Sequence, residues 1–146
     1  MSLPQATPDR NPRRFSRSQI PTTATDAEDN LFVHSNRGRH IAVAAPGVDV
    51  IVPAPGGTYQ FTTGTSVAAA FVSGIAALLI ELNPRLKAPE IKNVLLATSM
   101  DLGPKGRDDQ FGAGLADAYR AAQAVTASAE RSPVTTVSTG RALSLP

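Results

Sequence analysis

From Val67 to Leu82 the chain runs almost without a polar residue, and Pro84 ends the run. Ser73 and Gly74 break its middle, and its length suits a helix in a protein core better than a membrane span. The spacing predicts a helix over about 65–82, stopped by Pro84, which cannot continue it. The helix is apolar on every face and therefore demands cover on every face. Small residues at Ala68, Ala69, Gly74, Ala76 and Ala77 let neighbouring backbone come close. At its start stands Gly64-Thr65-Ser66-Val67-Ala68-Ala69, with the Thr65 hydroxyl as candidate N-cap. A serine in the first turn of such a helix, flanked by small residues, is a candidate nucleophile. Read alone, Ser66 serves equally well as a helix cap.

Upstream of this helix the pattern is one of short strands. Residues 41–45 and 48–52 are β-branched runs around Pro46-Gly47, and 58–63 alternates aromatic with polar residues after a Pro/Gly loop. Downstream, Pro89 suits the first turn of a helix over about 89–98, with Ile91, Val94 and Leu95 in one stripe. A Gly- and Asp-rich loop spans 101–114, and an Ala-rich amphipathic helix is expected over about 115–125. Residues 25–30 read as a polar turn. The organisation expected is a disordered leader at 1–22, a folded unit at 23–126 and a Ser/Thr/Pro-rich disordered tail at 127–146. The class is α/β.

Bulk properties narrow the function. A chain of 146 residues supports one domain with a modest core. The formal charge of +2 gives no reason to expect nucleic acid or a membrane surface as partner. With no Cys there is neither a disulfide nor a thiolate metal site. Met1 to Ile20 has no apolar core of a secretory signal. It is Arg-, Ser- and Pro-rich, which faintly resembles an organellar transit peptide, and a disordered leader is the plainer reading. Asp108-Asp109 offers too few ligands for calcium and reads as a solvated turn. No metal and no cofactor is expected, and the compartment stays open.

Four ordered elements together resemble one family, the subtilisin-like serine proteases, or subtilases. Gly64-Thr65-Ser66-Val67-Ala68 resembles the family's nucleophile motif, Gly-Thr-Ser-x-Ala. Ser35-Asn36-Arg37-Gly38 and Ala45-Pro46-Gly47 resemble its S-N-x-G and A-P-G segments, and Gly112-Ala113-Gly114 through Ala118 resembles the element before its final helix. The resemblance covers about residues 23–125, the C-terminal part of the catalytic domain. It implies an incomplete piece of a three-layer fold with a mostly parallel sheet, and peptide-bond hydrolysis with Ser66 as the catalytic nucleophile.

The departures shape the expectation. The triad of this class runs Asp, His, Ser along the chain, and the family's Asp motif, His-Gly-Thr motif and oxyanion Asn would all lie upstream of A-P-G. None of these motifs occurs here. His34 and His40 lie in segments that match other family elements and read as surface or strand-end imidazoles. Ala70 and Phe71 stand where the family usually has Pro and often has His. The resemblance therefore implies a truncated protease, with about twenty unrelated residues ahead of the join and Pro21 interrupting what would be a strand. Such a piece is expected to be inactive alone. Three roles remain: a protease piece acting on peptide or protein substrates once completed, a pseudo-protease interaction module, and half of a split protease. An exposed apolar face on the long helix would imply a partner chain or self-association.

Overall fold

In the computed structural model, residues 19–130 are described. Pro21 ends just outside a strand and loses nothing there, since it lends only its carbonyl, which accepts the Ala42 N–H at 2.7 Å. Strand β1, Thr22–Thr25, follows at once. It pairs in parallel with β2, Val43–Pro46, in the register Thr22↔Val43 to Thr25↔Pro46. Pro21 thus introduces the strand and does not interrupt it, and residues 19–22, read as part of the leader, belong to the described fold. The remainder of that leader, and most of the tail, lie outside the described residues.

The β1–β2 pair is widened on both sides by single bridges. Leu31 bridges back to Thr25, and the buried Ser35 hydroxyl accepts the Ala24 N–H at 3.0 Å. On the β2 side, Leu115 bridges to Ala44 in parallel and to Met100 antiparallel. Gly114 O and the Ala116 N–H bond Ala44 on this edge, both at 2.8 Å. This pairing corrects the last helix. Leu115 belongs to the sheet, so helix α3 starts later and runs Ala118–Glu130. Asp117 Oδ1 accepts the Arg120 N–H at 2.9 Å, which closes one of the open donors of the first turn.

A second sheet is the hairpin of β3, Val50–Ala54, and β4, Thr58–Thr62, with Ile51 opposite Phe61 and Pro53 opposite Tyr59. It stands off the core, and β4 is exposed along nearly all its length. Helix α1 occupies Thr65–Leu82 and α2 occupies Ala88–Thr98. The Glu90 side chain accepts the Lys87 N–H at 2.7 Å, and Pro89 falls in the first turn, where its missing donor costs nothing.

Helix α1 carries the core. Ala68, Val72, Ile75 and Leu79 recur at helical spacing and pack with Ala24, Val43 and Ala45 of the strands, and with Ile91, Leu95, Ala121 and Val125 of α2 and α3. That is a single stripe. The expectation that α1 is buried on every face is not met: Phe71, Leu78, Ile80 and Leu82 are exposed.

Candidate active site

The carboxyl ends of β1 and β2 converge on the start of α1. Thr25 O accepts the N–H groups of Gly47 and Val48 at 2.9 and 3.1 Å, and Gly47 O accepts the Gly64 N–H at 2.7 Å. A glycine at 47 is required for this approach. A Cβ there would lie 2.7 Å from Ala24 Cβ, 2.8 Å from Gly64 O and 3.1 Å from Ala68 Cβ. The approach sets the first turn of α1 at the carboxyl edge of the parallel strands, where open α/β sheets place their ligands.

Ser66 is the second residue of α1 and is exposed. Gly64, in extended conformation, is the N-cap, and no side chain caps the helix. Thr65 is therefore the first helical residue and not the cap expected of it. A side chain at 64 would crowd Ser66 Oγ at 3.3 Å. Gly64 O takes the N–H groups of Val67 and Ala68 at 3.0 and 3.4 Å. The N–H groups of Thr65 and Ser66 precede these and have no acceptor among the described residues. Ser66 Oγ likewise makes no hydrogen bond among them, so the hydroxyl is neither cap nor structural tie. An exposed hydroxyl beside free N–H donors at the positive end of a helix can meet a carbonyl and stabilise the oxyanion that forms.

Among the described residues, no basic side chain is hydrogen-bonded to Ser66 Oγ. His34 is exposed and packs edge-on against Phe32, with ring centroids 5.3 Å apart, on the segment that doubles back along β1. His40 precedes β2 by two residues, and its ring lies over Gly38, whose added Cβ would sit 3.0 Å from Nδ1. Ser66 meets the far end of that strand, so His40 and Ser66 lie toward opposite ends of β2. Neither imidazole makes a hydrogen bond with Ser66.

Two acidic side chains, Asp26 just past β1 and Asp108 in the 101–114 loop, are used locally. Asp26 Oδ1 accepts the N–H groups of Glu28 and Asn30 at 3.0 and 2.8 Å, and Oδ2 accepts Asn30 Nδ2 at 3.1 Å. The Asn30 N–H, above all, holds this carboxyl below the ordinary 3.8. Asp108 Oδ1 accepts the N–H groups of Gln110 and Phe111 at 2.6 and 2.9 Å, which makes it the organiser of its loop. The sequence reading missed a pair next to the nucleophile turn. The Asp49 N–H donates to Thr63 Oγ1 at 2.9 Å, and that hydroxyl donates to Asp49 Oδ1 at 3.1 Å. Its only signal was an Asp and a Thr flanking a hairpin.

Beside Ser66 along α1 lies an open apolar groove of about 660 Å³ between the helix and the hairpin, lined by Val50, Val52, Val67, Phe71, Gly74 and Leu78 among others.

Ser66 thus stands at a helix start on the carboxyl edge of the parallel β1–β2 pair in an α/β fold. The family model that matches is the Subtilase family (peptidase S8), over residues 5–114. The chain belongs to the subtilase family, a family of serine proteases. The match begins at residue 5, so the stretch read as unrelated leader lies mostly within it. Similar relatives include alkaline elastase YaB of Bacillus sp. (strain YaB), 36% identical over 75% of this chain and 28% of that protein. Subtilisin DY of Bacillus licheniformis is 37% identical over 73% of this chain and 38% of that protein. Among solved structures, fervidolysin from Fervidobacterium pennivorans, a keratinolytic enzyme related to subtilisin, aligns with a TM-score of 0.65 at 31% identity. That alignment covers 73% of this chain and 19% of the fervidolysin chain. The chain thus spans well under half the length of these relatives.

Proposed function

We propose that the chain is the nucleophile-bearing part of a subtilisin-like serine endopeptidase, with Ser66 attacking the peptide carbonyl, and that it is inactive alone. The observation that supports this is the turn at 64–66: an exposed, unbonded hydroxyl and two open N–H donors at the carboxyl edge of the strands. A serine hydroxyl needs a base to take its proton. Within residues 19–130 neither imidazole is placed to do so. The base and its orienting carboxylate come from subtilase sequence beyond these residues, in the same polypeptide or in another. In subtilisin, loss of the His alone costs about 10⁶ in turnover. A missing oxyanion side chain adds about 10²–10³.

The test is labelling by a fluorophosphonate probe, together with hydrolysis of casein or p-nitroanilide peptides. The isolated chain should give neither. Adding a chain that carries the subtilase Asp and His-Gly-Thr segments should give labelling at Ser66, abolished by Ser66→Ala. Labelling of the isolated chain would overturn the inactive reading, and labelling that survives Ser66→Ala would overturn the assignment of the nucleophile.

A second reading, an interaction module, is favoured by the open groove. Its occupant is taken to be the segment that supplies the base, because the groove begins at Val67, next to Ser66. Phe71→Asp and Leu78→Asp should block complementation. If they block a stable complex that never labels Ser66, the chain is a non-catalytic binding module. If they only convert a dimer of this chain to monomer, the groove serves self-association.

A further inference from the structure

We propose that Asp49 and Thr63 form a clasp that positions Ser66 by fixing the backbone that enters α1. The proposal rests on Ser66 being the nucleophile. Asp49 has φ 50°, the left-handed region that few non-glycine residues occupy. Having left the β conformation, it no longer presents its N–H to a backbone carbonyl across the hairpin. The Thr63 hydroxyl takes that N–H and returns its own proton to the Asp49 carboxylate. In register, Val50 faces Thr62, so the pair occupies the next rung beyond the ladder. One residue further on, the Gly64 N–H is bound to Gly47 O. The clasp is therefore the link between a hairpin that is mostly exposed and the turn that holds Ser66. Without it, movement of the hairpin passes through Thr63 directly into Gly64, and the hydroxyl and the two donor N–H groups lose their fixed relation.

The test is amide hydrogen exchange by NMR on the full 146-residue chain. Thr63→Val keeps the shape and strand preference of the side chain and removes the hydroxyl. Exchange at Gly64 and Val67 should rise at least about fivefold, the worth of one net hydrogen bond, because both bonds of the clasp are lost, with Leu79 in the core unchanged. Thr63→Ser should restore the wild-type rates, and Asp49→Ala, which removes the carboxylate but leaves the residue-49 N–H on Thr63 Oγ1, should give a smaller rise at the same two amides. Acceleration confined to Asp49, or a parallel rise at Gly64, Val67 and Leu79, would overturn the proposal. In the complemented assembly, Thr63→Val should slow Ser66 labelling about fivefold and Thr63→Ser should recover it. Because exchange is read without any chemistry at Ser66, failure of the nucleophile assignment and failure of the clasp give different results.

Discussion

Helix α1 has two apolar faces with opposite fates. Ala68, Val72, Ile75 and Leu79 are enclosed by β1, β2, α2 and α3, whereas Phe71 and Leu78 face outward beside a hairpin that barely covers them. Leu78 is 57% exposed and Leu79 is 0% exposed, one residue apart. Composition is the same on both sides, so hydrophobicity does not separate them. What separates them is whether the rest of this chain supplies a surface at that angle around the helix. The packed face explains how the residues present hold together, and the open face sits next to Ser66, whose hydroxyl has no partner among the described residues.

The largest effect should come from treating the two neighbours alike. Leu79→Ala removes a fully enclosed side chain and should cost about 2–5 kcal/mol of stability. Leu78→Ala should change stability by no more than about 0.5 kcal/mol. Urea unfolding of both variants checks this. Equal losses would mean that the outer face is covered, by a second copy or by chain beyond residues 19–130, and the comparison would fail.

Gly47→Ala comes next, because its cost falls where the packed face meets the site. The new Cβ would press on Ala24, Ala68 and Gly64 O at once. A loss of about 1–3 kcal/mol is expected for overfilling a closed contact. Chemical shifts should move at Gly64 to Ser66 more than in α2. A variant with wild-type stability and unmoved shifts would show that the strand ends and the helix start are not held as closely as described.

Much of this was legible from residue patterns, for identifiable reasons. The α1 boundaries followed from one long apolar run ended by Pro84, and the position of the candidate nucleophile followed from Gly64-Thr65-Ser66. The misses are those of non-local structure. Strand β1 was hidden because Thr22–Thr25 is short and follows a proline, and only pairing with β2 makes it a strand. Leu115 looked helical by composition, but its N–H and C=O are taken by Met100 across the sheet. The Thr65 cap failed because the chain enters α1 through Gly64, tied to Gly47 from the far side. Exposure of the outer face was foreseen only from what the family resemblance left uncovered, since periodicity alone demanded burial.

A smaller effect should mark the open face. Leu78→Asp places a charge in solvent and leaves the core stripe untouched, so the isolated chain should melt within about 0.5 kcal/mol of wild type. Any self-association should weaken, because a carboxylate at the centre of an apolar contact is desolvated without a partner. Sedimentation over a range of concentrations reads this. If the variant unfolds as Leu79→Ala does, the outer face is part of the core.

The smallest effect separates packing from local hydrogen bonding at the same edge of the sheet. Asp26 follows β1 directly, yet its carboxyl is held by Asn30 and Glu28 N–H groups and not by the core. Its folded pKa lies below 3.8, chiefly through the Asn30 N–H. The sign follows from linkage: the ionised form is favoured in the fold, so the contribution is present above the ordinary value and is lost as pH falls through the lowered one. The Glu28 and Asn30 amide resonances should therefore titrate with a midpoint below 3.8, while those of Leu79 and Leu95 stay still. Asp26→Asn should remove the titration, since its amide oxygen accepts the Glu28 and Asn30 N–H bonds at every pH while the Asn30 Nδ2 bond is lost. A midpoint at or above 3.8 would show that the turn does not stabilise the charge. Movement of the Leu79 resonance together with it would show that this edge of the sheet and the packed face of α1 respond as one unit.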